Sequence, residues 1–342
     1  MAKRNLSQRQ KNRIQSIQEQ RRERAIVKKS VSDEELENLT QLGPEIRGTV
    51  ITNFGAQVDI EGLDEGYKQT IYRCHIRANL EPLITGDTVI WRYAEPHGVI
   101  VARESRHSEL LRPDAHGKLR PVAANVDRIA IVFAAKPTPY SNLIDRYLVA
   151  AEAQHIQPIL VLNKTDMLDN GAHPEVEQLL SDYSSIGYDI LMVSVKTGAG
   201  LAELKQYLAK YTSIFVGQSG VGKSSLINEL QPEAQILVGA LSVGKEKGTH
   251  TTTASRLFHL ADGGDLIDSP GIREFSLTNL TPEQIINGFV EFRPFLGHCK
   301  FRDCQHRVEL GCALLQAAKE GKILASRLEN YRSILASLEI KQ

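Results

Sequence analysis

The chain changes rhythm twice. From Gly48 to Arg103, apolar and polar positions alternate in five short runs: GTVITNF, QVDIEG, QTIYRCHI, DTVIWRY and GVIVAR. Gly-, Asp- and Pro-containing turns separate them, so the pattern predicts five strands, each with one face buried. Five short strands in under sixty residues predict a small closed barrel, most economically an OB-fold. From Arg128 the alternation gives way to unbroken apolar runs. RIAIVFAA at 128–135, PILVL at 158–162 and DILMVSVK at 189–196 predict buried parallel strands, with helical patterns over about 141–154, 174–186 and 201–210. Alternating strands and helices predict an α/β sheet covered on both faces. Between the two regimes, residues 104–126 carry Arg112-Pro113, His116-Gly117 and Arg120-Pro121, which predict a long loop. Residues 313–340 predict helices broken near Gly321, and the polar residues 1–40 predict a flexible arm with little apolar face.

At 342 residues there is room for two or three domains. The expected division is an arm at 1–40, a barrel at 41–115, an α/β domain at 116–275 and a C-terminal domain at 276–342. The formal net charge is zero, but residues 1–30 hold ten Lys/Arg against Glu19 and Glu23. That net +8 leaves the remainder at −8 and points to a polyanionic partner for the arm. Phe54, Tyr72, Trp91 and Tyr93 lie among Arg73, Arg77, Arg92, Arg103 and Arg106, a mixture suited to stacking bases and contacting phosphates. The face taken by each aromatic ring is not legible from the pattern. The arm lacks the apolar core of a signal peptide, so the expected location is the cytoplasm. Of four cysteines, Cys74 stands apart and three cluster near the C-terminus, a pattern of metal binding in a reducing compartment.

The chemistry centres on Gly217-Gln218-Ser219-Gly220-Val221-Gly222-Lys223-Ser224, which follows the apolar run Ile214–Val216 and precedes a helical stretch beginning Ser225-Leu226. This is G-x-x-x-x-G-K-[ST] in strand–loop–helix context. Glycines let backbone N–H groups wrap phosphates, the helix N-terminus adds positive potential, Lys223 reaches the β- and γ-phosphates and Ser224 can ligate Mg²⁺. Asn163-Lys164-Thr165-Asp166 ends the 158–162 strand. The Asp166 carboxylate can accept both N1–H and the exocyclic amine of guanine, a donor pair that adenine lacks. Ser194-Val195-Lys196 resembles the loop that supports the guanine O6 through backbone N–H.

Lys247-Gly248-Thr249-His250-Thr251-Thr252-Thr253 resembles a switch loop reaching Mg²⁺ through a threonine, with Thr251 favoured. Asp268-Ser269-Pro270-Gly271 is D-x-x-G: Asp268 for the Mg²⁺ shell, the Gly271 N–H for the γ-phosphate. Both guanine motifs precede the phosphate loop here, the reverse of the usual order in GTPases, which predicts a circular permutation. The γ-phosphate sensor would then run directly into the C-terminal domain and pass motion to it. That domain holds Cys299, Cys304, His306 and Cys312 in the spacing C-x4-C-x-H-x5-C, four soft ligands for one closed, structural Zn²⁺ site, with His298 as an alternative to His306.

The combination of barrel, permuted GTPase motifs and zinc cluster resembles the RsgA-type small ribosomal subunit biogenesis GTPases over roughly residues 45–340. The resemblance implies GTP hydrolysis stimulated by the small ribosomal subunit, a role in its late maturation, and contact with its rRNA. A monomer is expected. Ile272 stands where Ras-like enzymes place a water-orienting glutamine, and His250 is the candidate replacement, a role the resemblance supports. Two other readings stay open: an RNA-binding assembly factor using GTP as a timing or structural ligand, and a GTPase acting on the large subunit or on tRNA.

Overall fold

The computed structural model describes residues 42–78, 80–113, 118–168, 173–231, 255–268, 277–278 and 280–339. The chain divides into two compact units between Arg106 and His107.

The first unit is built from β1 (Glu45–Asn53), β2 (Gln57–Gly62), β3 (Ile71–Ile76), β4 (Thr88–Arg92) and β5 (Gly98–Arg103). The order β1-β2-β3-β5-β4 closes through a β1–β4 pairing, and only β3–β5 is parallel, so the five strands form the expected closed barrel. Alternation sends Ile46 and Val50 of β1, Val58 and Ile60 of β2, and Val89 and Trp91 of β4 into one core with Cys74. Trp91 is wholly buried, and its indole lies over Gly48 of β1, which leaves it room; a Cβ there would sit 2.9 Å from the indole Nε1. A bulge in β1 between Val50 and Thr52 adds the local bend that closure requires.

The second unit begins with a hairpin, β6 (Glu109–Pro113) and β7 (Leu119–Ala124), where the sequence predicts a loop. Pro113 and Pro121 hide the strand pattern, and both are tolerated because a two-stranded ribbon has only edge strands. The sheet that follows comprises β8 (Arg128–Ala134), β9 (Gln157–Asn163), β10 (Ile190–Met192), β11 (Thr212–Val216), β12 (Arg256–His259) and β13 (Asp265–Asp268). Its spatial order is β10-β9-β8-β11-β13-β12, parallel throughout except for β12. Among the described residues four helices accompany it: α1 (Ser141–Ala153), α2 (Pro174–Ile186), α3 (Leu201–Leu208) and α4 (Lys223–Leu230). Ala130, Val132 and Ala134 pack with Leu204, Leu208 and Leu226, while Ile129, Ile131 and Phe133 are buried on the opposite side of the strand. Burial on both faces explains why β8 reads as an unbroken apolar run. The phosphate-loop strand β11 is fourth in chain order yet lies centrally, between β8 and β13.

The C-terminal part contains α5 (Pro282–Asn287), α6 (Ala313–Lys319) and α7 (Ala325–Glu339). A capping box between Thr281 and Gln284 starts α5. Its far end packs closely on α1: a Cβ at Gly288 would lie 2.9 Å from the Val149 Cα. A buried polar network joins α7 to the same helix. The Arg327 guanidinium, 2% exposed, donates Nη1 to Asp145 of α1 and Nε and Nη2 to Glu291 at 2.6 and 3.0 Å. Asn330 donates to the other Asp145 oxygen at 2.6 Å, and the Tyr183 hydroxyl of α2 completes the shell. Desolvation works against the Arg327 charge, but Asp145 and Glu291 outweigh it and hold the guanidinium above its ordinary pKa.

Candidate nucleotide and metal sites

Parallel strands place their carboxyl ends on one edge, and the motifs gather there. Gly217 leaves β11, Asn163 ends β9 and Asp268 ends β13. The loop 217–222 is glycine where only glycine fits. Gly217 has φ 139° and a Cβ there would strike the Val132 carbonyl oxygen at 2.0 Å; Gly222 has φ 94° and a Cβ would meet Asn163 Nδ2 at 2.4 Å. Gly222 then caps α4, whose first two residues are Lys223 and Ser224. Lys223 Nζ donates to the Gly217 and Gln218 carbonyls at 2.7 and 2.8 Å, so the cation folds over its own loop. Ser224 and Ser225 are exposed.

The N-K-x-D segment is bolted to this loop. Asn163, 2% exposed, donates Nδ2 to the Val221 carbonyl at 2.9 Å, while its Oδ1 is buried with no partner. Lys164 has φ 62°, and its Nζ donates to the Gly220 carbonyl at 2.6 Å and to the Lys136 carbonyl at 3.1 Å. Thr165 and Asp166 begin a short 3-10 turn. Asp166 accepts the Ser194 hydroxyl at 2.6 Å and faces Lys196 Nζ at 3.6 Å. The Ser194 bond, helped by Lys196, holds the Asp166 carboxyl below its usual range, so it stays an acceptor. Val195 lies in the turn that follows β10, which the Ser194 N–H anchors to the Ala199 carbonyl at 2.9 Å. An orphaned buried acceptor, a glycine cradle and an aligned carboxylate together fit a guanine nucleotide. Asp268 is half-buried, and desolvation raises its pKa, an environment that favours a cation beside it. His250, Thr251 and Gly271 lie outside the described residues. The contribution of the Lys136 carbonyl has no sequence signal, because a backbone oxygen carries none.

The cysteine cluster is drawn together as a four-cornered set. The ligand atoms of Cys299, Cys304, His306 and Cys312 all lie within 4.8 Å of one another. His306 Nδ1 is 3.5, 3.6 and 3.4 Å from the sulfurs of Cys299, Cys304 and Cys312, and the Cys299 and Cys312 sulfurs are 3.9 Å apart. Metal–sulfur bonds of about 2.3 Å and metal–nitrogen bonds of about 2.0 Å in a tetrahedron give edges of these lengths. His298 is not in the set. Without a cation, desolvation and neighbouring thiols push the Cys304 thiol up to about 12; a metal ion reverses that balance. Two supports escaped sequence reasoning. Glu309 accepts the N–H groups of Gln305, Arg307 and Val308 at 2.9, 2.7 and 3.0 Å. Arg332 of α7 donates to the His306 carbonyl at 2.9 and 3.1 Å. Glu309 was visible as a carboxylate inside the cysteine run, whereas Arg332 lies 26 residues away with nothing to mark it.

In the barrel, the arginines mostly serve structure. Arg106 is paired to the buried Asp87, Arg103 to Glu81, and Arg92 to the Gly43 carbonyl. Trp91 is core, whereas Phe54 is half exposed under the Arg73 guanidinium at 4.5 Å. No helix among the described residues is long and apolar enough to cross a membrane.

The chain matches the family model "RsgA GTPase" over residues 103–278. It is similar to the Small ribosomal subunit biogenesis GTPase RsgA of Azotobacter vinelandii, with 55% identity covering 99% of this chain and 98% of the relative. The protein of the same name from Hahella chejuensis is 51% identical, covering 99% and 97%. Among solved structures, YjeQ from Thermotoga maritima superposes with a TM-score of 0.71 at 32% identity, over 86% of this chain and 99% of that one. YloQ, described as a circularly permuted GTPase, gives 0.69 at 28% identity, over 89% and 98%.

Proposed function

Because this chain belongs to the RsgA GTPase family, and is by that membership a GTP hydrolase, we propose that it acts in late maturation of the small ribosomal subunit. In this reading it binds the subunit through rRNA, and the subunit stimulates hydrolysis of GTP to GDP and phosphate. The observation that carries the reading is the convergence of Asn163, Asp166 and Ser194 with the loop 217–224 at one sheet edge. Asp166 reads the guanine edge, Asn163 and Lys164 tie that reader to the phosphate loop, and Thr165, Val195 and Lys196 complete the base pocket. Gly217–Ser224 and Ser225 take the phosphates, with Gly271 as the γ-phosphate sensor.

Ser224, Thr251 and Asp268 are proposed to hold Mg²⁺, which when bound neutralises charge at the β- and γ-phosphates. The desolvated carboxyl of Asp268 supports that assignment. Cys299, Cys304, His306 and Cys312 are proposed to hold Zn²⁺, and four protein donors leave no open position, so the site is structural. His250 is proposed to orient the attacking water, since Ile272 has no polar group to do so. The proposed division keeps an arm, a barrel, a GTPase domain and a zinc domain, working as a cytoplasmic monomer.

GTP turnover measured alone, with small subunits and with large subunits tests this. Stimulation confined to small subunits is expected. Equal stimulation by both subunits, or by neither, overturns the assignment.

A further inference from the structure

The barrel has a cavity that neither the GTPase chemistry nor the metal cluster uses. It has a volume of about 570 Å³ and lies between the start of β3 and the segment joining β4 to β5. Its size falls within the usual range for small-molecule sites, roughly 300–1,000 Å³. Two rings line it, Tyr72 and Tyr93, set edge to face at 5.8 Å. Tyr72 is backed by the wholly buried Trp91 at 4.9 Å, so its position is fixed by the barrel core. Arg73 lies on the wall, aligned by Asp59 and by the ring of Phe54. Asp59 takes Nε and Nη2, which leaves Nη1 without a partner among the described residues. Glu95 is the acceptor on the rim, and the Tyr93 hydroxyl donates to its Oε1 at 2.7 Å.

Rigid rings beside a guanidinium are the means by which proteins hold unpaired bases. Glu95 adds a preference. An ionised carboxylate only accepts hydrogen bonds. With Oε1 engaged by Tyr93, Oε2 and the remaining lone pairs face a base that must offer donors. Guanine offers two adjacent donors, N1–H and the exocyclic amine. Uracil offers one N–H flanked by carbonyls, and adenine sets an acceptor beside its amine, so both bring a lone pair against the carboxylate.

We propose that this cavity is a subsite for one unpaired guanine of an RNA strand, stacked on Tyr72 with the Tyr93 ring against its edge, read by Glu95, with its phosphate at Arg73. The proposal rests on the reading of this chain as an RNA-contacting factor and names the base that contact selects.

The test uses the full chain saturated with GDP, so that the nucleotide site does not compete. Fluorescence anisotropy with labelled UUGUU, UUAUU and UUUUU is expected to show at least fivefold tighter binding of UUGUU. Tyr72→Ala is expected to weaken UUGUU at least fivefold, the lower bound for losing one stacked base. Because Tyr72 also packs on Trp91, Glu95→Gln provides a second probe at an exposed position. It is expected to erase the preference for UUGUU while leaving UUUUU binding unchanged. Equal binding of the three oligomers by the wild-type chain overturns the proposal, and so does a guanine preference that survives Glu95→Gln. Subunit-stimulated GTP turnover, measured on the same variants, separates the two ideas. If it persists while the base preference is absent, the subsite fails and the functional reading stands.

Discussion

Replacing Arg327 with methionine leaves the two carboxylates it bridges, Asp145 and Glu291, without their cation. Asp145 is 0% exposed and loses the guanidinium, keeping only the Tyr183 hydroxyl and the Asn330 amide. Glu291 loses both of its bonds to Arg327. Methionine retains much of the length and apolar stem, so the cost is electrostatic rather than a cavity. Removing one partner of a buried pair costs about 3–5 kcal/mol, because the survivor stays desolvated. With an m-value of about 2–3 kcal/mol/M, the urea midpoint of the second unit should fall by roughly 1–2.5 M. The deficit should depend on pH. Desolvation pushes the Asp145 carboxyl up, and Arg327 is the largest force opposing it. In the variant that opposition is gone, so the folded-state pKa rises further above the unfolded value. Proton uptake then favours the folded state, and the deficit should shrink as the pH falls. The triple change Asp145→Leu, Glu291→Leu, Arg327→Met removes every charge and should recover most of the loss. The assay is hydrogen exchange of α1 and α7 during urea unfolding. The single tryptophan, Trp91, lies in the first unit and supplies an internal control whose fluorescence midpoint should not move. A loss below about 1 kcal/mol for Arg327→Met, or a triple variant no better than the single one, would refute the argument.

Lys223→Ala should weaken GDP and GTP binding itself, whereas His250→Ala should leave nucleotide affinity nearly unchanged and lower subunit-stimulated turnover; equal turnover would remove His250 from the mechanism. Glu309→Ala frees three backbone N–H groups in the metal loop, so a chelator should strip metal faster from the variant, followed by a colorimetric metal indicator. Gly48→Ala puts a Cβ 2.9 Å from both the Glu61 carbonyl oxygen and Trp91 Nε1, which should cost about 1–3 kcal/mol and lower the midpoint read by Trp91 fluorescence.

The barrel and the sheet were legible because burial imposes a period. Ile46, Val50, Val89 and Trp91 alternate because a closed barrel has one inner face. Ile129 to Phe133 do not alternate because β8 is covered on both sides. That segments 163–166 and 217–224 belong together was legible because glycine and charge at fixed spacing have few other uses, and the fold brings them to one sheet edge. The β6–β7 hairpin was not, because its prolines and arginines imitate a loop. The Asp145–Arg327–Glu291 network was invisible for a different reason. Each member alone reads as an ordinary charge on a helix or turn, and only the fold brings together residues 36 and 182 positions apart. The same network qualifies the expectation that motion of the D-x-x-G segment passes directly into the C-terminal domain. The C-terminal helices are anchored to α1, which precedes β9, so such motion would work against a fixed body.

That anchoring also bears on the order in which the chain is made. Asp145 leaves the ribosome 182 residues before Arg327. At typical synthesis rates that interval is roughly 10–40 s. During it α1 carries a buried-to-be carboxylate with no cation beside it, so the second unit packs less stably than it does once the chain is complete. A nascent chain that has emerged through Asp268 therefore still lacks part of the stability of the finished domain. Completion of α7 supplies it.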